Sequence, residues 1–253
     1  MFKKQIMIAL AASVLSTAAF AEDHGHEHAA HPHWSYDGSE GPDHWSQMEA
    51  SYSTCSAGKN QSPVNLTGFI KAELAPIKFD YKADGDNIIN NGHTVQVNFA
   101  EGSFMTLNGH TFGLKQFHVH SPSENQINGK TFPMEAHFVH ADVNGNLTVI
   151  AVMFEEGKSN AELEKAWKSL PHEAGEKAAL KDNVLGTALM PDDKAYYRFN
   201  GSLTTPPCTE GVTWLVMKQP VTASKQQIEN FTHVMHHHNN RPVQPVNART
   251  ILE

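Results

Sequence analysis

The sequence QFHVH at residues 116–120 indicates both the fold and the chemistry of this chain. In a β-strand, alternate side chains point to opposite faces, so Gln116, His118 and His120 share one face. The two apolar residues between them point the other way, toward a core. The pattern therefore predicts a half-buried strand that presents two imidazoles side by side.

A second stretch, EAHF at residues 135–138, repeats the pattern. In a neighbouring strand Glu135 and His137 share a face, which adds a third imidazole to His118 and His120 without any long loop. Three neutral ring nitrogens form three corners of a tetrahedron around zinc and leave the fourth corner for water, which is the arrangement of a catalytic site. No cysteine lies in this cluster of residues. The spacing predicts a Zn²⁺ cofactor.

Two polar residues accompany the histidines on the same strand faces. A metal-binding histidine usually donates its other ring N–H to an acceptor behind it, and this contact fixes the tautomer. Gln116 and Glu135 each lie two residues from a predicted ligand and fit that role. The histidine pair at 118 and 120, taken alone, is equally compatible with an ordinary polar strand face.

Short β-rich runs separated by turns of glycine, asparagine, aspartate and proline dominate the rest of the chain. The runs expected to be strands are 94–99, 103–107, 111–120, 133–142, 147–154 and 212–218. Asn144-Gly145 joins two of these strands in a hairpin. The sequence therefore predicts one mainly β domain with a few short helices.

Only two stretches carry a helix-start signal, a serine followed three residues later by glutamate or glutamine. One pair is Ser159 with Glu162, and the other is Ser224 with Gln227. The two helices are expected at 159–170 and 224–237.

The N-terminus combines two lysines, a short apolar run and Ala19-Phe20-Ala21, the small-x-small pattern that a signal peptidase accepts. We expect residues 1–21 to be a cleaved signal peptide and the protein to be periplasmic. Residues 22–33, EDHGHEHAAHPH, contain five histidines and little that packs, so a mobile arm is predicted there. A single catalytic domain covers 34–253. No later segment approaches the roughly 20 apolar residues that a membrane span needs.

The composition limits the partners and points to an oxidising compartment. Lysine and arginine number 19 against 27 acidic residues, a net charge of -8, which argues against nucleic acid as a partner. Cys55 and Cys208 are the only cysteines, and an exported chain with an even cysteine count predicts a disulfide. Two buried thiols are the alternative.

Seven motifs occur in a specific order, although some of them are only turns by their composition. They are GKNQSPVNL at 58–66, NNGHTVQV at 90–97, QFHVH at 116–120, MEAHFVH at 134–140, GSLTTPPC at 201–208, VTW at 212–214 and NNRPVQP at 239–245. Together they resemble the α-class carbonic anhydrases of the bacterial, exported type. The resemblance covers nearly all of the chain after the arm and implies that family's fold, a single domain on a large, twisted, mostly antiparallel central sheet.

The resemblance also implies an activity, the reversible hydration of carbon dioxide to bicarbonate and a proton. By this likeness His118, His120 and His137 are the zinc ligands, in agreement with the strand geometry. In this family zinc lowers the pKa of its bound water to about 7, so hydroxide is abundant at neutral pH. Carbon dioxide and bicarbonate are the implied ligands, and a homodimer is implied by analogy with bacterial relatives.

Around the metal, the resemblance assigns roles to two threonines and a carboxylate. Thr204 matches the threonine whose hydroxyl accepts a hydrogen bond from zinc-bound hydroxide while it donates one to a carboxylate, here Glu124. The backbone N–H of Thr204 and the side chain of Thr205 then meet bicarbonate. The residues that match the apolar wall receiving carbon dioxide are Val139, Val149, Leu203, Val212 and Trp214. Plain core packing is the alternative for this wall.

The resemblance identifies His93 as the proton shuttle, which removes a proton from the new water in each cycle. A group with a pKa near ~6.5 suits that transfer at neutral pH. Tyr36, Asn91 and Gln96 match positions that border the water chain of the shuttle. On its own, His93 reads as an exposed residue in a turn.

Some histidines have no counterpart in this chemistry, namely those of the arm and His236-His237-His238. They are either solvated polar residues or a weak zinc-collecting site. Because the chain has 17 histidines, a non-catalytic periplasmic protein that binds and buffers zinc on the same fold is the competing function. The short connection between His120 and His137 makes the assignment of Glu124 depend more on the resemblance than that of the ligands does.

Overall fold

The structure is a computed structural model, and it describes residues 33–253. The predicted signal peptide at 1–21 lies outside the described residues, as does the predicted arm at 22–33 except for His33. None of the helices in the described range has the length and apolarity that a bilayer crossing requires.

The described chain is mostly β, with four short α-helices. The helices are α1 (Trp45–Met48), α2 (Thr54–Ala57), α3 (Ala161–Trp167) and α4 (Lys225–Met235). The strands are β1 (Asn65–Leu66), β2 (Lys78–Asp80), β3 (Gly85–Asn90), β4 (Val95–Phe99), β5 (Phe104–Leu107), β6 (His110–His120), β7 (Gln126–Ile127), β8 (Met134–Ala141), β9 (Leu147–Glu156), β10 (Lys177–Ala179), β11 (Tyr196–Ser202), β12 (Glu210–Met217) and β13 (Val221–Ala223). All six strands predicted from the sequence are present, with ends shifted by a few residues at most.

One sheet of 11 strands organises the described residues, in the order β10-β3-β4-β6-β8-β9-β12-β11, with β13 beside β9 and β5 linking β6 to β2. Its pairings are antiparallel except where β9 meets β12 and β13. The prediction of a large, mostly antiparallel central sheet is therefore confirmed. The sequence did not reveal β3 or β11, because neither has clear alternation between apolar and polar residues.

The two faces of the sheet carry different hydrophobic clusters because side chains alternate along each strand. On one face Phe117, Val119 and Phe138 join a large core that α3 and α4 cover. On the other face Val149 and Trp214 belong to a smaller cluster. The alternation predicted for QFHVH is confirmed, since its apolar residues lie in the large core and its histidines face the other side.

The two predicted helices differ in how well the sequence located their starts. In α4, Ser224 Oγ accepts from the N–H of Gln227, and Gln227 Oε1 accepts from the N–H of Ser224, as predicted. The start predicted at Ser159 is wrong, because Asn160 caps α3 by accepting from the backbone N–H groups of residues 162 and 163. The side chain of Glu162 instead pairs with Lys165 at 2.6 Å, so it does not close a capping box. Both helices end two or three residues before the predicted ends.

A disulfide joins Cys55 to Cys208, as predicted, and so ties the N-terminal segment to the loop after β11. Arg241, a residue that is only 2% exposed, reinforces this connection through its guanidinium group. It donates to the Cys55 carbonyl, the Ser62 carbonyl and Gln61 Oε1, each at 2.8 Å. Burying this cation is tolerated because strong acceptors replace its water.

Candidate metal centre

Three histidines meet on one face of the sheet. His118 and His120 are on β6, and His137 is on β8, where it lies directly opposite His118. Their ring centroids are 4.5 to 5.3 Å apart. One ring nitrogen from each residue lies within 4.8 Å of the others, so the three could hold a metal ion. They are the one group of three or more potential ligands with this geometry among residues 33–253.

Each of the two triad histidines on β6 has one ring nitrogen close to an oxygen. His118 Nδ1 lies 2.8 Å from Gln116 Oε1, and His120 Nδ1 lies 2.6 Å from the carbonyl oxygen of Asn239. Because these oxygens accept, the proton of each ring is on Nδ1, and Nε2 keeps its lone pair. His120 Nε2 is buried and has no hydrogen-bond partner in the described residues. A buried nitrogen lone pair without a partner is what a metal ligand requires.

His137 has the opposite ring nitrogen next to an oxygen. Its Nε2 lies 2.9 Å from Glu135 Oε1, in an electrostatic contact without the alignment of a hydrogen bond, which leaves Nδ1 toward the other two rings. Glu135 is itself held in place, because its Oε2 accepts from the backbone N–H groups of Glu124 and Asn125 at 2.7 and 2.8 Å. The donor set of three imidazoles therefore fits zinc.

Burial keeps the three histidines neutral. It lowers the pKa of His118, with His120 and His137 adding repulsion between protonated rings. Burial likewise lowers the pKa of the other two histidines. Neutral imidazole is the form that binds a metal, so the protein environment prepares these side chains as ligands.

Thr204 and Glu124 form a pair next to the histidines. The Thr204 side chain lies close enough to the Glu124 carboxyl to lower its pKa, and Glu124 Oε1 accepts from the backbone N–H of Arg241 at 2.8 Å. Burial raises the pKa of Glu124 to about 8, against the influence of these two groups, which lower it. Its Oε2 lies 3.5 Å from His120 Nε2. A cation held by the triad would lower this pKa and keep the carboxylate ionised, so that it accepts the threonine proton.

A cavity of about 150 Å³ opens above the histidines. The residues around it include His118, His120 and Thr205, together with His93. The other predicted residues that line the cavity are Tyr36, Asn91, Gln96 and Gln116. The fold thus brings the metal-binding, threonine and His93 motifs to one opening.

Comparison with known proteins identifies the family of this chain. The sequence model of the family described as eukaryotic-type carbonic anhydrase matches residues 40–253. The chain belongs to that family. It is 50% identical over 220 residues to a carbonic anhydrase of Pectobacterium atrosepticum, which covers 87% of this chain and 90% of the relative. It is 48% identical to a carbonic anhydrase of Neisseria gonorrhoeae, over 98% of this chain and 95% of the relative.

A solved structure of the α-carbonic anhydrase from Thermovibrio ammonificans, in complex with sulfanilamide, has the same fold. It superimposes with a TM-score of 0.86 at 49% sequence identity and covers 87% of this chain and 99% of the other. The resemblance inferred from the motifs is confirmed.

In this carbonic anhydrase His93 lies at the mouth of the cavity, half-buried against Trp34. The two rings are stacked, with centroids 3.7 Å apart and planes 7° from parallel. Burial, together with charge repulsion from His33 and His237, lowers the pKa of His93 to about 4. His93 is thus a neutral but weak base at pH 7, and its pKa is lower than the value near ~6.5 expected from an unperturbed histidine.

The turn that carries His93 is fixed by its neighbours. Asn91 Oδ1 accepts from the backbone N–H groups of His93 and Thr94, each at 2.9 Å. Asn91 therefore shapes the turn as well as lining the cavity. Gln96 donates to Asn98 Oδ1 at 2.6 Å, which orients its amide at the cavity wall.

The five residues predicted as an apolar wall all belong to the smaller hydrophobic cluster, which lies on the histidine side of the sheet. Its members include Val139, Val149, Leu203, Val212 and Trp214. The Trp214 ring centroid is 4.8 Å from that of His137 at a near-perpendicular angle, and its Nε1 donates to the Ser202 carbonyl at 3.0 Å. Trp214 therefore both packs in the cluster and lies beside the candidate metal centre.

Sequence reasoning missed three residues of the site of this carbonic anhydrase: Trp34, Asn239 and Arg241. Asn239 is fully buried, accepts from His120 through its carbonyl oxygen, and donates through Nδ2 to the carbonyls of His93 and Val119. It therefore links the His93 turn to a histidine of the triad. The available signal was the motif NNRPVQP at 239–245, which supported the resemblance without indicating a role.

Proposed function

We propose that this carbonic anhydrase binds Zn²⁺ through His118, His120 and His137 and hydrates carbon dioxide reversibly to bicarbonate and a proton. The observation that carries the proposal is the placement of the rings: each histidine has one nitrogen close to an oxygen, and one ligand nitrogen from each of the three lies within 4.8 Å of the others. Bound zinc lowers the pKa of its water to about 7 in this family and so supplies hydroxide at neutral pH.

Thr204 and Glu124 orient the nucleophile in this proposal. With the carboxylate accepting its proton, the Thr204 hydroxyl is left to accept a hydrogen bond from the attacking hydroxide, which directs a lone pair toward the carbon atom. Two contacts hold Glu124 in place. Its Oε1 accepts from the backbone N–H of Arg241, and its own backbone N–H donates to Glu135 Oε2. Thr204 thus contributes by orienting the hydroxide and not by binding the metal.

The substrate needs only a small apolar surface, because carbon dioxide has no net dipole. Val139, Val149, Leu203, Val212 and Trp214 provide that surface beside the histidines. The backbone N–H of Thr204 and the side chain of Thr205 then receive the charged product. Thr205 lies at the cavity wall, where product leaves toward solvent.

His93 accepts the proton released in each cycle in this proposal. It is neutral at pH 7, as a base must be, and it shares the cavity with Tyr36, Asn91 and Gln96, whose polar groups support a water chain. Its low pKa eases onward transfer of the proton to buffer but disfavours acceptance of the proton from the metal centre, since the best catalytic pKa lies near the operating pH.

A non-catalytic zinc-buffering protein on the same fold remains the competing function. A zinc-buffering site needs only metal ligands. Thr204, Glu124 and the apolar surface are not ligands and would not raise the affinity for zinc. Their presence beside the triad supports catalysis. The periplasm is the proposed location, supported by the disulfide, which persists in oxidising compartments. A homodimer stays a prediction by analogy.

The test is stopped-flow carbon dioxide hydration on protein of measured zinc content. His137→Ala should lose zinc and activity together, because two imidazoles and water make a poor site. Thr204→Ala should keep zinc but lose about 100-fold in rate, the usual effect of removing one orienting group. Thr204→Ser is the matched control, since it retains the hydroxyl and should stay near the wild-type rate. Normal hydration by His137→Ala with stoichiometric zinc would refute the ligand assignment, and a fast Thr204→Ala would refute the relay.

A further inference from the structure

Both backbone polar groups of His93 are held by side chains. Asn91 Oδ1 accepts from the N–H of His93 at 2.9 Å, and the carbonyl of His93 accepts from Asn239 Nδ2 at 3.1 Å. The ring itself makes no hydrogen bond to a residue in the range 33–253 and is stacked on Trp34. The backbone of the turn is therefore fixed, and the freedom that His93 keeps is rotation of its side chain.

Thr94 ties the same turn to the strand that carries two histidines of the triad. The pairing of β4 with β6 ends where Gln96 lies opposite His118. Beyond that point the Thr94 hydroxyl takes the place of a backbone partner: it donates to the Val119 carbonyl at 2.6 Å and accepts from the Val119 N–H at 3.3 Å. Val119 lies between His118 and His120 in sequence, so this contact joins the turn to the triad strand.

Asn239 makes a second link between the turn and this strand. Its Nδ2 also donates to the Val119 carbonyl, at 2.9 Å, so one carbonyl oxygen accepts from both side chains. Thr94, Val119 and Asn239 are all buried. Water does not compete for these bonds, so each one restrains the turn more strongly than the same bond would at the surface.

We infer that Thr94 and the side chain of Asn239 are positioning residues for His93: they hold its turn at a fixed distance from the triad, so that the imidazole stays within reach of a proton from the metal centre. The inference rests on the proposed function, in which His93 accepts that proton. The Asn239 carbonyl that faces His120 belongs to the backbone and is a separate contact. The distance matters because a displacement of about 1 Å can cost about 100-fold in rate.

The test changes Thr94, because a change at Asn239 would also disturb the contact with His120. Thr94→Val keeps the shape of the side chain and removes the hydroxyl, and Thr94→Ser is the matched control that retains it. In stopped-flow hydration on the zinc-loaded full chain, kcat of Thr94→Val in weak buffer should fall about tenfold, part of the roughly 100-fold or more that a positioned general base contributes. Its kcat/KM and zinc content should stay at the wild-type values, and Thr94→Ser should keep kcat near the wild-type value.

A double variant, His93→Ala with Thr94→Val, separates positioning from a direct role. If Thr94 acts through His93, the double variant should be no slower than His93→Ala alone, since no imidazole is left to position. Additive losses would overturn the inference, and so would a loss of zinc or an equal fall in kcat and kcat/KM in Thr94→Val. If Thr94→Val does not fold, Thr94→Ala repeats the measurement without a methyl group against the Val119 carbonyl.

Gln227→Ala controls for a general loosening of the fold. Gln227 is another buried amide, which accepts from the Asn160 N–H at 2.9 Å and so joins α4 to the start of α3. Its loss should leave kcat in weak buffer unchanged. A fall in kcat alone, like that expected of Thr94→Val, would overturn the inference.

The imidazole NMR signals of His93 test its position without reference to the reaction. Stacking on Trp34 shifts these signals upfield, and the shift should be lost in Thr94→Val and kept in Thr94→Ser. An unchanged shift in Thr94→Val would overturn the inference. If His93→Ala hydrates carbon dioxide normally while Thr94→Val loses the shift, the shuttle role of His93 fails and the positioning of its ring stands, so the two proposals are tested separately.

Discussion

The disulfide gives the most quantitative prediction about stability. Cys55 and Cys208 are 153 residues apart in sequence. In the chain-entropy model, a crosslink that closes a loop of this length stabilises the folded state by about 5 kcal/mol, because it restricts the unfolded chain. The native contacts on each side do not depend on the bond: the Cys55 carbonyl accepts from Arg241, and the Cys208 N–H donates to the Thr205 carbonyl, each at 2.8 Å.

The perturbation is the double variant Cys55→Ala with Cys208→Ala, compared with chemically reduced wild type. Both lose the crosslink, but only the double variant also leaves a cavity, because both cysteines are buried. Urea unfolding measures the effect at a fixed zinc concentration, since an ion that binds only the folded state adds its own stabilisation. For an m-value of about 2.5 kcal/mol/M, the midpoint of the reduced protein should fall by about 2 M.

The reduced protein gives the decisive outcome because this protein keeps every side chain of the wild type. If it unfolds at the same urea concentration as the oxidised protein, the entropic reasoning is wrong. A slower hydration rate with an unchanged midpoint would assign the bond to positioning the loop of Thr204 and Thr205 instead.

Three further predictions concern proton transfer, pH and packing. His93→Ala should lower kcat in weak buffer with kcat/KM nearly intact, and added imidazole should restore much of the rate; equal loss of both constants would remove the shuttle role. Burial lowers the pKa of His140 to about 4, so as the pH falls below about 6.5 the unfolded state gains a proton that the folded state lacks, and stability falls. His140→Gln should therefore reduce the loss of unfolding free energy between about pH 7 and about pH 5 by roughly 2 kcal/mol, and an unchanged urea profile would exclude this residue as the source. Gly201→Ala should destabilise by about 2 kcal/mol, because its Cβ would lie 2.1 Å from Ser62 Oγ; a wild-type urea midpoint would contradict this packing argument.

Local patterns in the sequence predicted the parts of the structure that depend on neighbouring residues. The alternation in QFHVH placed Phe117 in the core and His118 on the opposite face, because a strand has a side-chain period of two. Ser224 and Gln227 predicted the start of α4, since capping bonds form within one turn. The predicted start of α3 was wrong because serine and asparagine are both favoured at a helix N-cap. Only the packing of the chain selects Asn160 over Ser159.

The sequence by itself determined which side chains share a strand face, which residues begin a helix, and that two cysteines are available to pair. Only the tertiary structure decided that the Asn239 carbonyl faces His120, because a backbone oxygen has no signature in the sequence. The same holds for the Arg241 N–H that meets Glu124, 117 positions away. The pKa of His93 also depends on the assembled chain, because burial and the charges of residues distant in sequence set it. Patterns therefore located the side chains that could hold a metal, and long-range packing set their surroundings and charges.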